Sequence, residues 1–308
     1  MVAYLLIRKI AQLFLMMALG FGLVKLKVLK ADESAVLSRL CLYLLMPCVI
    51  LNAFQVDYSD SLRDGMFLAF GAAVCCYALL LTLDQMGSRL LRLDEVERAS
   101  VLYSNAANLI IPIVSSVLGP EWVVYTSAFI TVQQAFVWTQ GVKLFSEDGT
   151  FRWKKVFQNI NVIFICLGIV LLITGLRLPP VLGEVTESVG NMVGPTSMFV
   201  TGMLIAKTDL KRIFAKSRIW LVLLLRMIVA PGLTLLLIKL SGAAGLVENG
   251  RMILMVVFLA ACSPSAATVT QFSQIYHKDA EYAGAINILT TLACIVTMPA
   301  FVWLYELL

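Results

Sequence analysis

Charge is scarce in this chain. Asp, Glu, Lys and Arg make up 14% of its 308 residues and hydrophobic residues 60%, whereas a soluble domain carries about 25% charged residues. That balance excludes an ordinary soluble fold. Histidine is nearly missing, with His277 the single example in a short polar stretch, where a solvated role is the ordinary one. The seven cysteines (Cys41, Cys48, Cys75, Cys76, Cys166, Cys262 and Cys294) all fall in apolar runs, and Cys75-Cys76 are adjacent rather than spaced as C-x-x-C. They read as small packing residues, not as metal ligands. No G-x-x-x-x-G-K-[ST] loop is present, so ATP-driven transport by this chain alone is not indicated. One loop histidine and no paired buried carboxylates leave an enzyme without an acid–base pair. The reading is therefore non-enzymatic, with no cofactor and no metal.

Long apolar runs are what the chain has instead. Hydrocarbon about 30 Å thick requires roughly 20 apolar residues per helical crossing, and such runs recur along the whole sequence. Ten helices are expected, at 4–24, 33–54, 65–87, 99–119, 122–144, 156–176, 183–206, 219–241, 251–275 and 281–306. The first contains Arg8 and Lys9, lacks a small-residue cleavage site and has full crossing length, so it reads as a retained helix rather than a signal peptide. The fold class is an all-α polytopic membrane protein with the lipid bilayer as its solvent.

Basic residues set the expected orientation. The loops after helices 1, 3, 5, 7 and 9 carry seventeen of them, including Lys25, Lys27, Lys30, Arg89, Arg92, Lys154, Lys155, Lys211 and Arg212. The opposite face has six: Arg8, Lys9, Arg63, Arg177, Lys239 and Arg251. The positive-inside rule then puts those loops in the cytoplasm and both termini outside a cell membrane. The same rule accounts for the net charge of +5 without invoking nucleic acid.

The charged segment 146–155 splits the ten helices into two sets of five, residues 1–148 and 149–308. An odd number of crossings makes the second set enter from the opposite face, so the halves are expected to be inverted repeats. Pro47 and Pro195, Pro112 and Pro264, and Arg98 and Arg251 recur at a nearly constant offset.

Two runs in corresponding places, 101–119 and 252–274, are interrupted by polar and helix-breaking residues. The first reads Ser104-Asn105-Ala106-Ala107-Asn108 with Pro112 following, and the second Cys262-Ser263-Pro264-Ser265-Ala266-Ala267-Thr268. A broken polar-centred span in each half is the pattern that marks a binding site in secondary transporters. Asn105 and Asn108 lie three apart and share a helix face. Pro112 and Pro264 are expected to open new half-helices. The N-terminal amides of these half-helices would then point about half a positive charge each toward the break, a receptor for an anionic group. A simple proline kink satisfied by Ser104 or Ser263 is the plainer alternative.

The run SNAANLIIPIVSSVLG with the following VVYTSAFITVQQAFVW resembles the fourth and fifth helices of the auxin efflux carrier family. LAACSPSAATVTQFSQIY resembles its ninth. The resemblance spans the whole chain and includes the malate or malonate permease-like bacterial branch. It implies that helices 4 and 9 are broken and cross inside a mobile transport domain (helices 3–5 and 8–10), beside a scaffold of helices 1, 2, 6 and 7. Many bacterial members have glycines where Ala107 and Ile110 stand here, while Asn105 and Pro112 match.

The expected function is a secondary carrier for a small organic anion, a carboxylate, working by alternating access. Its expected solute-binding residues are Asn105, Asn108, Pro112, Ser263, Pro264, Ser265, Thr268 and Asn287, with Gln133 and Arg226 as further candidates. For Gln133 and Asn287, inter-helix hydrogen bonding is the default. For Arg226, snorkelling or pairing with Asp84 stands against attracting the anion. Proton or sodium coupling stays open, since no carboxylate falls in either break. Gly190-x-x-x-Gly194 is a close-packing motif that leaves a homodimer open. A non-transporting membrane sensor of the same fold is the alternative function.

Overall fold

The computed structural model describes residues 2–55, 59–145, 158, 160–207 and 217–308. The expected dividing segment 146–155 lies outside the described residues, as do Lys211, Arg212 and Lys216. Among the described residues the chain is all-helical, and its one extended pairing is a bridge between Ser104 and Ser265.

Among the described residues, and apart from a short 3-10 turn at Ala243–Gly245, the helices form ten stretches within a few residues of the expected ones. They are α1 (Val2–Lys25), α2 (31–53), α3 (Asp60–Leu90), α4, α5 (120–145), α6 (Ile160–Thr174), α7 (Pro180–Lys207), α8 (Ser217–Ser241), α9 and α10 (Ala280–Leu307). Two are divided: α4 into α4a (Glu95–Leu102) and α4b (106–117), and α9 into α9a (Gly250–Ala261) and α9b (Ala267–Ile275). Five of the ten, α2, α3, α7, α8 and α10, are long and apolar enough to cross a membrane by length and composition. Shorter apolar helices occur at Phe14–Lys25, Ala106–Ser115, Ile160–Thr174 and Gly250–Ala261. Arg98 and Arg251, related by the sequence offset, each lie in the first turn of a leading half-helix.

Three prolines share one local setting. Pro47, Pro112 and Pro231 each come just after a π-helical turn, at Cys41–Leu45, Ala106–Ile110 and Leu225–Val229. A proline ring crowds the carbonyl four residues back and offers no N–H, and the extra residue of a π turn relieves that crowding while the helix continues.

Small residues set which helices touch. α1 lies against the Val193–Lys207 part of α7. A Cβ on Gly20 would sit 2.5 Å from the carbonyl oxygen of Phe199, and one on Gly202 would collide with that of Met17. The Met46–Ala53 part of α2 packs against α6 and Pro180–Gly190, where Gly168 faces the Phe54 ring and Gly190 faces Val49. The Gly190 end of the small-residue motif is thus used within the chain. α3 packs against α5 and α9a, and α9b against α10. Gly65 of α3 faces Tyr125 and Ile253.

These contacts give a paired prediction. Gly202→Ala should lower the thermal midpoint of the detergent-purified protein by an amount corresponding to about 1–3 kcal/mol of overpacking. Gly22→Ala, where an added Cβ meets nothing within 4 Å, should leave it unchanged or raise it. Equal midpoints for the two variants would refute the tight crossing of α1 and α7.

Candidate functional site: the paired helix breaks

The two breaks are hydrogen-bonded to each other. After Leu102 the chain becomes extended, with Tyr103 at φ −99°, ψ 128°, and the helix resumes at Ala106. The second break runs from Cys262 to Ala266. The Asn105 N–H donates to the Pro264 carbonyl at 2.8 Å, and the Ala266 N–H donates to the Tyr103 carbonyl at 2.9 Å. Ser104 and Ser265 therefore face each other in a minimal antiparallel pair. Pro264 has no N–H to offer, so the pairing uses its carbonyl.

Such a pair leaves the N–H and C=O of Ser104 and of Ser265 pointing outward, and side chains from the following helices meet them. On one side, the Gln133 amide of α5 closes a ring with the Ser104 backbone. Its Nε2 donates to the Ser104 carbonyl at 2.8 Å, and its Oε1 accepts from the Ser104 N–H at 3.0 Å. The same Oε1 accepts from the Ser104 hydroxyl at 2.6 Å and from the Tyr77 hydroxyl of α3 at 2.6 Å. On the other side, α10 supplies two side chains. The Ser265 N–H donates to Thr290 Oγ1 at 3.1 Å, and Asn287 Nδ2 donates to the Ser265 carbonyl. The backbone of both serines is satisfied without water, as a low-dielectric interior requires.

Arg226 is fully buried beside the breaks. Its Nε and Nη2 donate to the Ser263 carbonyl at 3.0 and 2.6 Å, Nη2 also to the Ala261 carbonyl at 2.9 Å, and Nη1 to the Val101 carbonyl at 2.9 Å. The Val101 and Ala261 oxygens belong to the last turns of α4a and α9a, where helical carbonyls lack intrahelical partners, and the Ser263 oxygen lies two residues past α9a. Arg226 therefore neither snorkels nor pairs with Asp84. Asp84 instead accepts from Arg98 Nε and Nη2, each at 2.8 Å.

The other expected site residues separate into two groups. Asn105 and Asn108 are partly exposed, and the Asn108 amide donates to Asn105 Oδ1 at 3.1 Å. Thr268, likewise partly exposed, lies in the first turn of α9b. By contrast, Ser263 is buried and its hydroxyl donates to the Ala260 carbonyl at 3.0 Å. Gln133 and Asn287 bond the backbone of the breaks. Ser265 Oγ is buried without a hydrogen-bond partner. The expectation that the prolines open the half-helices is corrected. Pro112 stands six residues after the restart at Ala106, behind a π turn, and Pro264 lies inside the break before α9b begins.

Sequence reasoning passed over two participants. Tyr77, fully buried on α3, completes the Gln133 network, and nothing in its apolar context marks it. Glu97, fully buried, accepts from Arg218 Nε at 2.6 Å and from the Tyr282 hydroxyl at 3.1 Å. Its signal was legible, because Asp94-x-x-Glu97 is a capping box. Seven residues separate Glu97 from Ser104, so it lies roughly 10 Å from the break at about 1.5 Å per residue. Neither break contains a carboxylate.

A family model described as "Membrane transport protein" matches residues 5–152 and 149–302. No curated protein matches the chain.

The Gln133 ring generates a stability prediction. Gln133→Leu leaves the Ser104 peptide groups and the Tyr77 hydroxyl without partners, at about 1–3 kcal/mol per orphaned group. A clear drop in thermal midpoint is expected. Gln134→Leu, outside this network, should stay within about 0.5 kcal/mol of the native protein. A Gln133→Leu midpoint no lower than that of Gln134→Leu would remove the capping role.

Proposed function

The chain belongs to the membrane transport protein family, and from that premise we propose that it is a secondary carrier for a small organic anion, a carboxylate, which binds at the paired breaks. One observation carries this reading. The N-terminal ends of α4b and α9b open from hydrogen-bonded breaks, beside partly exposed Asn105, Asn108 and Thr268 and with no carboxylate in either break. Helix N-termini bearing about half a positive charge each favour a negative ligand. Amide and hydroxyl groups would fix its orientation.

The cycle would be alternating access, with α3–α5 and α8–α10 moving against α1, α2, α6 and α7. The close glycine contacts within the second group support this division. So does the network that ties α3, α5, α8 and α10 to the breaks. We read the ten helices as ten crossings in two inverted sets, residues 1–148 and 149–308, in a cell membrane with both termini outside. The resemblance to the malate or malonate permease-like branch suggests small dicarboxylates as solutes to try first. A proton or sodium ion coupled to the cycle would bind through carbonyls, amides and hydroxyls.

The roles proposed within the site differ. Asn105, Asn108 and Thr268 would contact the solute. Pro112 and Pro264 would preserve the break, and Ser263, Ser265, Gln133 and Asn287 would shape it.

The test is a thermal-shift screen of the purified protein against mono- and dicarboxylates, with and without sodium. Uptake of the stabilising compounds into proteoliposomes follows. Asn105→Ala and Asn108→Ala should each abolish uptake while leaving membrane insertion and thermal midpoint near native. Native uptake in both variants would sink the site assignment, and no stabilisation by any carboxylate would sink the solute class.

A further inference from the structure

We propose that Arg226 is the residue that makes the paired breaks selective for anions, acting through helix ends rather than by touching the solute. The inference rests on the carboxylate reading above and adds the source of its charge preference. A fully buried guanidinium is costly unless it is paired. The bonds of Arg226 run to no carboxylate but to the carbonyls of Val101, Ala261 and Ser263. The Val101 and Ala261 oxygens lie in the last turns of α4a and α9a, the Ser263 oxygen two residues beyond α9a, and each helix C-terminus carries about half a negative charge. Two such ends together match the single positive charge of Arg226.

The consequence concerns the other two ends. α4b and α9b begin at the same breaks, each with about half a positive charge at its N-terminus. Without Arg226, four helix ends would meet there and nearly cancel, leaving a site with little preference for charge. With Arg226, the negative pair is neutralised and the positive pair stands unopposed. Nearby carboxylates do not restore the cancellation, because Asp84 is paired with Arg98 and Glu97 with Arg218. Arg226 is therefore a specificity-determining positioning residue. Its four donated bonds leave it committed to the backbone rather than to a ligand.

Charge and hydrogen bonding are separated by Arg226→Lys and Arg226→Gln. Both replace the guanidinium fork with a smaller donor group, but only lysine keeps the charge. Cys262 lies between Ala261 and Ser263, two of the three residues whose carbonyls Arg226 holds, so Cys262→Asp and Cys262→Asn form a second pair that leaves Arg226 in place. Binding is measured for acetate, benzoate and malonate against their neutral amides acetamide, benzamide and malonamide.

The native protein, Arg226→Lys and Cys262→Asn should prefer carboxylate to amide. Arg226→Gln and Cys262→Asp should lose roughly tenfold of that preference with amide binding unchanged, the scale of one unit charge acting across about 10 Å of protein interior. A native carboxylate-to-amide ratio in Arg226→Gln, or an equal loss of both ligands, would overturn the proposal and leave the carboxylate site standing. No carboxylate preference in the native protein would overturn both. If Arg226→Gln does not fold, the Cys262 pair decides alone, and a native ratio in Cys262→Asp overturns the proposal.

Discussion

Two hydrogen bonds between helix breaks, from Asn105 to Pro264 and from Ala266 to Tyr103, are the constraint on which the rest of the structure depends. A peptide group without a partner in hydrocarbon costs several kcal/mol, so a helix interrupted alone would need water or a dense set of side chains. Two interrupted helices set side by side supply each other instead. The arrangement is conditional, since each break is stable only while the other is present. It also fixes which backbone groups remain to be met, and Gln133, Thr290 and Asn287 meet them.

Charge is handled in two ways in this chain. Away from the breaks, carboxylates pair directly with arginine and lysine side chains: Asp84 with Arg98, Glu97 with Arg218, and Glu95 with Lys278. Through these pairs and the Tyr282 hydroxyl, the starts of α4a, α8 and α10 are joined into one cap. At the breaks no carboxylate is used. There the countercharge to Arg226 is supplied by helix carbonyls, which cannot be protonated or moved without unwinding a helix. A fixed field of this kind persists whether or not a solute is bound.

Much of the fold was legible because the signals are local. Apolar runs mark ten helices, and Asn, Ser and Pro inside two of those runs mark the breaks. The sequence resemblance to auxin efflux carriers agrees with the family match at the level of membrane transport. What escaped was the identity of partners. An amide in an apolar helix looks the same in sequence whether it faces a solute or a peptide group, so Asn287 and Gln133 stand as solute candidates beside a default of inter-helix hydrogen bonding, and the bonds they make are to the Ser265 and Ser104 backbone. Arg226 invites a search for a carboxylate, and Asp84 was the nearest candidate. Its real partners are carbonyls, which every residue carries and no sequence pattern singles out. Pro112 suggested a helix start, but the π turn before it lets the helix begin six residues earlier.

The two breaks are counterparts without being copies, and the difference bears on what they can receive. One serine is framed by a single glutamine whose amide matches both edges of the peptide. The other is framed by a threonine hydroxyl and an asparagine amide from separate positions on α10. The partly exposed groups differ as well: two linked asparagine amides beside the first break, and the threonine at the start of α9b beside the second. Amide N–H groups donate and amide oxygens accept, whereas a hydroxyl does either as its rotor turns. On the anion reading, the helix dipoles would attract a carboxylate with little regard to its remainder. The unequal amide and hydroxyl faces would then decide which end of the solute lies toward which break, so discrimination among carboxylates would come from Asn105, Asn108 and Thr268 rather than from the charge that draws them in.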